Sequence, residues 1–329
     1  MKSIKSGKEN IIMINGEYFV ANDITVKMLE LYYGGYNISQ ISYALGISEE
    51  EVERKYNEIS ELIEAEEYYE GDILLNEPLK LQWKITNRCN LKCKHCYEGE
   101  KDSVEMTKEE IENAFEMFLK SNLLSLTITG GEALTHPRFG NIVSNLIDRG
   151  IIVSVSTSGM ILNDNILESL CKLKKVAGSY VRVSLDGNEK MHNFVRNNFA
   201  SYKNAVKFIQ EMVKNGVECQ ISTIISNQSE SEIEELVCFS KKLGVSLVEI
   251  GLVINTGNAL KNNFVSNMEV SKYSMFLKSL SLKYSDANFT VKLPCDESQK
   301  NCGAGSKIIT ISPNMDVKPC PTNNLVLGN

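Results

Sequence analysis

Long hydrophobic runs are absent from this sequence. None of its apolar stretches approaches the roughly 18 residues that a membrane-spanning helix needs. The N-terminal segment Met1–Asn10 is polar, and the apolar run after it, Ile11–Ile14, is far too short for a signal peptide. We therefore predict a cytoplasmic protein with no membrane partner, in a compartment where thiols stay reduced.

Positive charge and histidine are scarce as well. The chain has 35 Lys and Arg residues against 42 Asp and Glu, and the resulting net charge of −7 does not favour nucleic-acid binding. The three histidines are His95, His136 and His192. No pair of them has a spacing that indicates catalysis, so we interpret all three as loop residues.

Cysteine, by contrast, is abundant. Nine cysteines in a reducing compartment indicate metal ligands rather than disulfides. The length of 329 residues predicts two or three domains. Changes in sequence pattern divide the chain into residues 1–80, 81–258 and 259–329.

The first region has the pattern of a small winged-helix domain. Asn15-Gly16 is a strong hairpin turn between two apolar strands, Ile11–Ile14 and Tyr18–Ala21. Three helical stretches follow, and Ser48 is the predicted N-cap of the third, Glu49–Glu67.

The second region alternates apolar strands with helices, which predicts an α/β fold with a parallel sheet. The regular period favours a partial (β/α)6 TIM-like barrel, in which functional groups lie at the carboxyl ends of the strands. The six predicted strands are Leu81–Ile85, Leu124–Thr129, Ile151–Ser156, Tyr180–Leu185, Val217–Ile225 and Ser246–Ile250.

Three cysteines follow the first of these strands on one short loop. Cys89, Cys93 and Cys96 are spaced so that their thiolates can bind three irons of a cubane cluster. A zinc site is the alternative, with His95 as the fourth ligand.

This loop, with Tyr97 directly after it, resembles the signature of the radical S-adenosylmethionine (SAM) superfamily. The resemblance implies a 4Fe–4S cluster whose fourth iron binds SAM. It also implies a reductant such as flavodoxin or ferredoxin, which supplies the electron that cleaves SAM to a 5′-deoxyadenosyl radical.

Motifs at later strand ends resemble the SAM contacts of the same family. Gly130-Gly131-Glu132 resembles the motif that holds the SAM amino group, with Ala133 where proline is usual. The resemblance implies three further sets of cofactor contacts. Ser156 and Ser158 would lie near the ribose, Ser184 and Arg196 would hold the carboxylate, and Val253 would pack against the adenine. Asp186 is interpreted as a turn or cap residue.

The third region begins with a predicted helix, Ser271–Tyr284, and a strand, Phe289–Leu293. Its cysteines, Cys295, Cys302 and Cys320, resemble the start of an incomplete SPASM-type Fe–S segment, which implies an auxiliary 4Fe–4S cluster. The sequence stops before the second half of the expected cysteine set. Free or buried thiols are the alternative interpretation.

The first region can be interpreted as a DNA-binding or a peptide-binding domain. Residues 1–80 contain seven Lys and Arg and sixteen Asp and Glu, a charge of 7 − 16 = −9 that phosphates would repel. The region resembles the leader-recognition element of peptide maturases, which is similar to a chaperone of pyrroloquinoline quinone synthesis. That resemblance implies a precursor peptide as partner, with apolar anchors near Met13, Phe19 and Tyr56.

The whole pattern thus favours a radical SAM enzyme that modifies a ribosomally made peptide, by a thioether or carbon–carbon crosslink or a related change. An anaerobic sulfatase-maturase-like enzyme is the alternative. Pro321 counts against it, since that family has an acid after the second SPASM cysteine. An Fe–S redox-sensing regulator is a third hypothesis.

Overall fold

The computed structural model describes residues 2–6, 9–14, 17–33, 36–64, 78–99, 103–121, 123–226, 228–264, 270–294, 303–323 and 325–328. The chain divides into two compact units. The first is Met1–Leu79 with Lys120–Leu124, and the second is Lys80–Leu119 with Ser125–Asn329. Within the described ranges, every helix is too short or too polar to cross a bilayer.

The first unit is a three-stranded antiparallel sheet followed by three helices. Its strands are β1 (Lys2–Ser6), β2 (Glu9–Ile14) and β3 (Glu17–Ala21), paired in chain order. The predicted hairpin corresponds to β2 and β3, whereas β1 was not predicted; the turn Asn15-Gly16 lies outside the described residues.

The three helices of this unit are α1 (Asp23–Tyr33), α2 (Ile38–Leu45) and α3 (Glu49–Glu64). The Glu51 amide donates to Ser48 Oγ at 3.1 Å, so Ser48 caps α3 as predicted. Apolar residues from the sheet and all three helices form one core: Ile12, Val26, Met28, Leu29, Ile41 and Val52.

The second unit is a nine-stranded, mostly parallel sheet with intervening helices. Its first six strands are β4 (Lys80–Lys84), β5 (Ser125–Thr129), β6 (Ile152–Thr157), β7 (Tyr180–Ser184), β8 (Cys219–Ile225) and β9 (Leu247–Leu252). They lie side by side in chain order, and every neighbouring pair is parallel. The predicted parallel α/β sheet is therefore confirmed.

Helices connect these strands. They are α4 (Lys108–Lys120), α5 (Phe139–Asp148), α6 (Asp164–Cys171), α7 (Glu189–Arg196), α8 (Ser201–Lys214) and α9 (Glu230–Leu243). Helix α7 was not predicted, because its sequence is mostly polar. The Asn188 side chain caps it by accepting from the Met191 amide at 3.0 Å.

The C-terminal residues extend this sheet at both edges. After α10 (Gly257–Lys261) and α11 (Val270–Tyr284), β10 (Thr290–Lys292) pairs in parallel with β9. At the other edge β11 (Ile308–Ile311) pairs in parallel with β4, and β12 (Val317–Lys318) pairs antiparallel with β11. The sequence pattern had indicated β10 but neither β11 nor β12.

The alternation of side chains along the strands explains how the sheet is covered. Val181 and Val183 of β7 are fully buried, like Val153 and Val155 of β6. Residues between them are polar, and Arg182 of β7 forms an ion pair with Glu249 of β9. One face of the sheet is thus apolar and packed by helices, and the other is polar.

Candidate functional site

The cysteine loop follows β4 at the carboxyl edge of the sheet. Cys89 is exposed, Cys93 is buried and Cys96 is half-buried. The backbone of this loop is tied to helix α7, since the Lys94 amide donates to the Val195 carbonyl at 2.8 Å. All three predicted ligands therefore lie where parallel sheets place their chemistry.

Asn258 lies at the start of α10, which follows the carboxyl end of β9, and it also holds the cysteine loop. Its amide donates to the Cys96 carbonyl at 2.8 Å, and its side chain Nδ2 donates to the Cys93 carbonyl at 3.2 Å. A side chain at Gly257 would put a Cβ 2.4 Å from the Tyr97 carbonyl oxygen. The sequence did not predict this contact with the cysteine loop, although the Gly257-Asn258 pair belongs to the segment after the sixth strand that resembles the adenine-packing part of the family.

The loop after β5 packs directly on the start of the cysteine loop. The Gly131 amide donates to the Thr86 carbonyl and the Glu132 amide to the Arg88 carbonyl, both at 2.8 Å. A Cβ on Gly130 would lie 2.5 Å from the Thr86 oxygen, and one on Gly131 would lie 2.4 Å from the Arg88 oxygen. Both positions therefore need glycine because two backbone segments touch there.

The Glu132 carboxylate is buried, with 2% of the residue exposed. It accepts hydrogen bonds from Thr157 Oγ1 at 2.8 Å, from the Ser158 amide at 2.8 Å and from Ser158 Oγ at 2.5 Å. Strand β6 thus orients this carboxylate. Ser156 and Ser158 were predicted to lie near the SAM ribose, and that role stays a prediction; the contacts with Glu132 come from Thr157 and Ser158.

Asp186 lies in the turn between β7 and α7, as the sequence suggested, and its carboxylate is fully buried. It accepts from Arg196 Nε at 2.7 Å, and the Ile224 amide donates to it at 3.2 Å. His95 Nε2 and His192 Nδ1 lie 3.7 and 3.6 Å from the same carboxylate oxygen. Ser184, half-buried at the end of β7, and Arg196 were predicted to hold the SAM carboxylate, and that role stays a prediction.

His95 and His136 lie in loops, as predicted, whereas His192 lies in a helix, and the surrounding structure covers the side chains of all three. His192 lies in α7 and its Nδ1 accepts from the Asp186 amide at 3.1 Å. His136 Nε2 contacts the Met106 carbonyl at 3.1 Å. The side chain of His95 is 7% exposed. A histidine in a sequence gives no sign of whether tertiary packing covers it.

Burial sets the protonation of this cluster. Burial lowers the pKa of His192 to about 4, and the Arg196 and His95 charges add to the effect while Asp186 opposes it. Burial alone would raise the pKa of Asp186, but Arg196, His95 and His192 hold it well below its usual range. At neutral pH the cluster therefore contains an ionised Asp186, a cationic Arg196 and a neutral His192.

The free energy of unfolding should consequently depend on His192 below neutral pH. Between pH 6.5 and about 4 the unfolded chain binds a proton at this histidine that the folded chain does not, so stability falls as pH falls through that window. We expect a loss on the order of 3 kcal/mol from this group. Urea unfolding at pH 7 and pH 4.5 measures it, with His192→Gln as the comparison. Equal pH dependence in the two proteins would contradict the assignment.

The surroundings of the loop disfavour an uncoordinated thiolate. Burial raises the pKa of Cys93, and desolvation raises the pKa of Cys89 to about 11, with Glu132, Cys93 and Cys96 contributing. Among the described residues, no three His, Cys, Asp or Glu side chains are arranged around a single metal ion. A cubane needs no such arrangement, because each thiolate binds a different iron. The donor set therefore fits three irons of one cluster.

The other predicted cluster ligands, Cys295, Cys302 and Cys320, and the predicted adenine contact Val253 are not linked to the cysteine loop by hydrogen bonds among the described residues. Cys295 and Cys302 lie outside the described residues, and Cys320 Sγ lies 3.0 Å from Thr322 Oγ1. An auxiliary cluster stays a prediction. Val253 is half-buried beside Val195 and Ala259.

A polar cavity of about 450 Å³ opens beside the cysteine loop. Lys84 and Glu98 line one side of it and form an ion pair whose side chains are each 9% exposed. Residues of the C-terminal segment line the other side, among them Asp316 and Lys318. The cavity is large enough for a small-molecule-sized group and offers it polar partners.

Comparison with known proteins finds a family match in the central part of the chain. Residues 83–239 match the sequence family described as the radical SAM superfamily. Enzymes of that superfamily use a 4Fe–4S cluster and SAM, the two cofactors predicted from the cysteine loop and the later strand ends.

Several relatives are similar over most of the chain. The antilisterial bacteriocin subtilosin biosynthesis protein AlbA of Bacillus subtilis is 26% identical over 248 residues, which are 74% of this chain and 55% of that protein. The mycofactocin maturase MftC of Mycobacterium tuberculosis is 24% identical over 259 residues, 75% of this chain and 65% of that protein. The chain thus spans 55% of the length of AlbA and 65% of the length of MftC.

The fold is similar to that of solved structures over nearly its whole length. Streptococcus suis SuiB bound to S-adenosylmethionine matches with a TM-score of 0.73 at 16% identity, covering 98% of this chain and 82% of SuiB. SuiB bound to its precursor peptide SuiA matches with a TM-score of 0.71 at 15% identity, covering 98% and 83%.

Proposed function

We propose that this chain, whose residues 83–239 match the radical SAM superfamily, cleaves SAM reductively and uses the resulting radical to modify a ribosomally made precursor peptide. The observation that carries the proposal is the meeting of three motifs at one edge of the sheet. The cysteine loop, Gly131 and the Glu132–Ser158 pair lie at the carboxyl ends of three adjacent strands.

Each motif then has a distinct role. Cys89, Cys93 and Cys96 would hold the cluster, which supplies the electron for SAM cleavage and keeps one iron open for SAM. Glu132, already oriented by Thr157 and Ser158, accepts from a cationic amine such as the amino group of SAM. The glycines let the backbone approach closely, and Ser184 and Arg196 would complete the site at the carboxylate.

The peptide substrate is supported by the relatives. SuiB is solved with a precursor peptide, and AlbA and MftC are named for bacteriocin biosynthesis and mycofactocin maturation. We infer that the polar cavity between Lys84 and the C-terminal segment receives the reacting part of such a peptide. The product would be a thioether, a carbon–carbon crosslink or a related side-chain change, with a flavodoxin or ferredoxin as electron donor.

The N-terminal unit is the proposed leader-recognition element of winged-helix type. Among the described residues no strand pairs with the outer edges of β1 and β3, where a peptide strand could be added. The helices of the unit enclose an apolar cavity of about 120 Å³ that Tyr32 and Tyr56 border, with their rings 4.5 Å apart. The side chains of Met13 and Phe19 lie outside the described part of the structure. Its acidic charge disfavours DNA and, with it, the redox-sensing regulator. Pro321 counts against a sulfatase-maturase-like enzyme.

The test uses anaerobically reconstituted protein with SAM, a reductant and a leader-bearing peptide encoded beside it. We expect 5′-deoxyadenosine and a peptide of altered mass. The Tyr56→Ala variant should weaken leader binding about tenfold, as loss of a buried aromatic anchor does, without changing SAM cleavage in the absence of peptide.

Tyr43→Ala is the matched control, since this tyrosine is 92% exposed on α2 and lies away from the cavity. Leader affinity measured by fluorescence anisotropy should be unchanged in that variant. Equal effects of the two substitutions would contradict leader recognition at this cavity, and absence of SAM cleavage in the unaltered protein would contradict the enzyme itself.

A further inference from the structure

Asp186 is a buried charge that the proposed function does not use. It is fully buried, and its strongest partner is Arg196, whose Nε donates to Oδ2 at 2.7 Å. The Ile224 amide donates to the other oxygen at 3.2 Å. Removing a carboxylate and a guanidinium from water costs several kcal/mol per ion. A buried pair of this kind therefore needs good mutual geometry or a function that depends on it.

The same guanidinium reaches a predicted cluster ligand. Arg196 Nη1 lies 3.9 Å from Cys93 Sγ, within hydrogen-bonding range for sulfur, and both residues are buried. The guanidinium is a rigid planar fork, so fixing Nε on a carboxylate also fixes the direction in which Nη1 points. Asp186, Arg196 and Cys93 therefore form one chain of charges ending at the cysteine loop.

Two imidazoles surround the carboxylate at longer range. His95, between Cys93 and Cys96 in the loop, and His192 of α7 lie 3.7 and 3.6 Å from Asp186 Oδ2. Those distances exceed the normal hydrogen-bond range, so the bond to Arg196 is the one that holds the carboxylate in place.

We propose that Asp186 is a positioning residue that aims the Arg196 guanidinium at the Cys93 thiolate and thereby sets the reduction potential of the cluster bound there. This inference rests on the proposed function, because it requires Cys93 to be a cluster ligand. Hydrogen bonds to the sulfurs and the net charge nearby are among the factors that set the potential of an iron–sulfur cluster.

The two charges must act in opposite directions. Asp186→Asn removes the negative charge but keeps an oxygen that can accept from Arg196 Nε, so the guanidinium stays aimed at Cys93, an electron is accepted more easily and the potential rises. Arg196→Gln removes the positive charge and leaves the carboxylate, so the potential falls. We expect the ratio of reduced to oxidised cluster at a fixed potential to change on the order of tenfold in each case, about 59 mV for one electron. The double variant should return close to the unaltered protein.

The measurement is an EPR-monitored potentiometric experiment on reconstituted protein without SAM. Glu249→Gln is the control, because it removes one carboxylate charge from a more exposed ion pair with Arg182 and Lys292 in the same sheet, and among the described residues Glu249 makes no hydrogen bond or ion pair with the cysteine loop. Its potential should be unchanged. Shifts of Asp186→Asn and Arg196→Gln in the same direction, or equal to that of the control, would overturn the proposal.

A second comparison covers the case in which Asp186→Asn does not fold. Arg196→Lys keeps the charge but loses the fork, so it should lower the potential less than Arg196→Gln. Identical potentials in the unaltered protein and both arginine variants would also overturn the proposal. If the unaltered protein itself binds no 4Fe–4S cluster, the proposed function fails first, and the two failures are thereby distinguished.

Discussion

The Cys93→Ala variant is expected to lose all measurable reductive cleavage of SAM. A cubane that leaves one iron open for SAM depends on three protein thiolates, and the chain offers them on one loop whose backbone is fixed by Asn258 and Val195. With one thiolate missing, the cluster is lost or is held with two irons exposed. Iron content per chain and the yield of 5′-deoxyadenosine after anaerobic reconstitution measure both effects, and Cys89→Ala and Cys96→Ala should behave alike.

Cys171→Ala and Cys219→Ala are the controls for this loss. Cys171 is half-buried in α6, and Cys219 lies buried in β8, where burial raises its pKa to about 12 and keeps the thiol protonated. Both variants should keep the cluster, and Cys219→Ala should lose some stability because it leaves a small cavity. A Cys93→Ala protein that still cleaved SAM would show that another thiol completes the site.

The parts of the site that could be predicted from the sequence are those whose residues lie close together in the chain. The cysteine spacing lies within eight residues, and Gly130, Gly131 and Glu132 are consecutive. Their placement at strand ends followed from the alternation of strands and helices, which also predicted the parallel sheet. Such features depend on neighbouring residues in the chain, so one sequence is enough to find them.

The parts that escaped prediction depend on contacts between distant residues. Asn258 binds the cysteine loop across more than 160 positions, and β11 pairs with β4 across more than 220. The bond from Thr157 to Glu132 was not predicted, because it joins the ends of two strands 25 residues apart in the chain. The burial of Asp186 and His192 depends on contacts with α7, a short helix whose sequence is mostly polar.

Gly131→Ala should have the second-largest effect, through packing alone. A Cβ at this position would lie 2.4 Å from the Arg88 carbonyl oxygen and 2.5 Å from that of Asn87. Both obstacles are backbone atoms, which cannot rotate away as a side chain could. The loop carrying Glu132 must therefore separate from the start of the cysteine loop, which stretches the bonds from Gly131 and Glu132 to Thr86 and Arg88.

We expect this substitution to reduce SAM affinity on the order of 100-fold, since a displacement of about 1 Å at a binding group can cost that much. The free energy of unfolding should fall by about 3 kcal/mol from overpacking and weakened hydrogen bonds. Equilibrium dialysis of SAM on reconstituted protein and urea unfolding of the cluster-free chain measure the two quantities separately.

Gly150→Ala separates this packing effect from the general cost of replacing glycine. Gly150 has a φ of +71° and no heavy atom within 4 Å of an added Cβ, so alanine there should cost about 1 kcal/mol of stability through backbone strain. SAM affinity should be unaltered in this variant, because Gly150 lies between α5 and the start of β6, at the amino ends of the strands, whereas the predicted SAM contacts lie at the carboxyl ends. If Gly131→Ala weakened SAM binding no more than Gly150→Ala does, the close backbone approach would have no part in holding Glu132 for the cofactor.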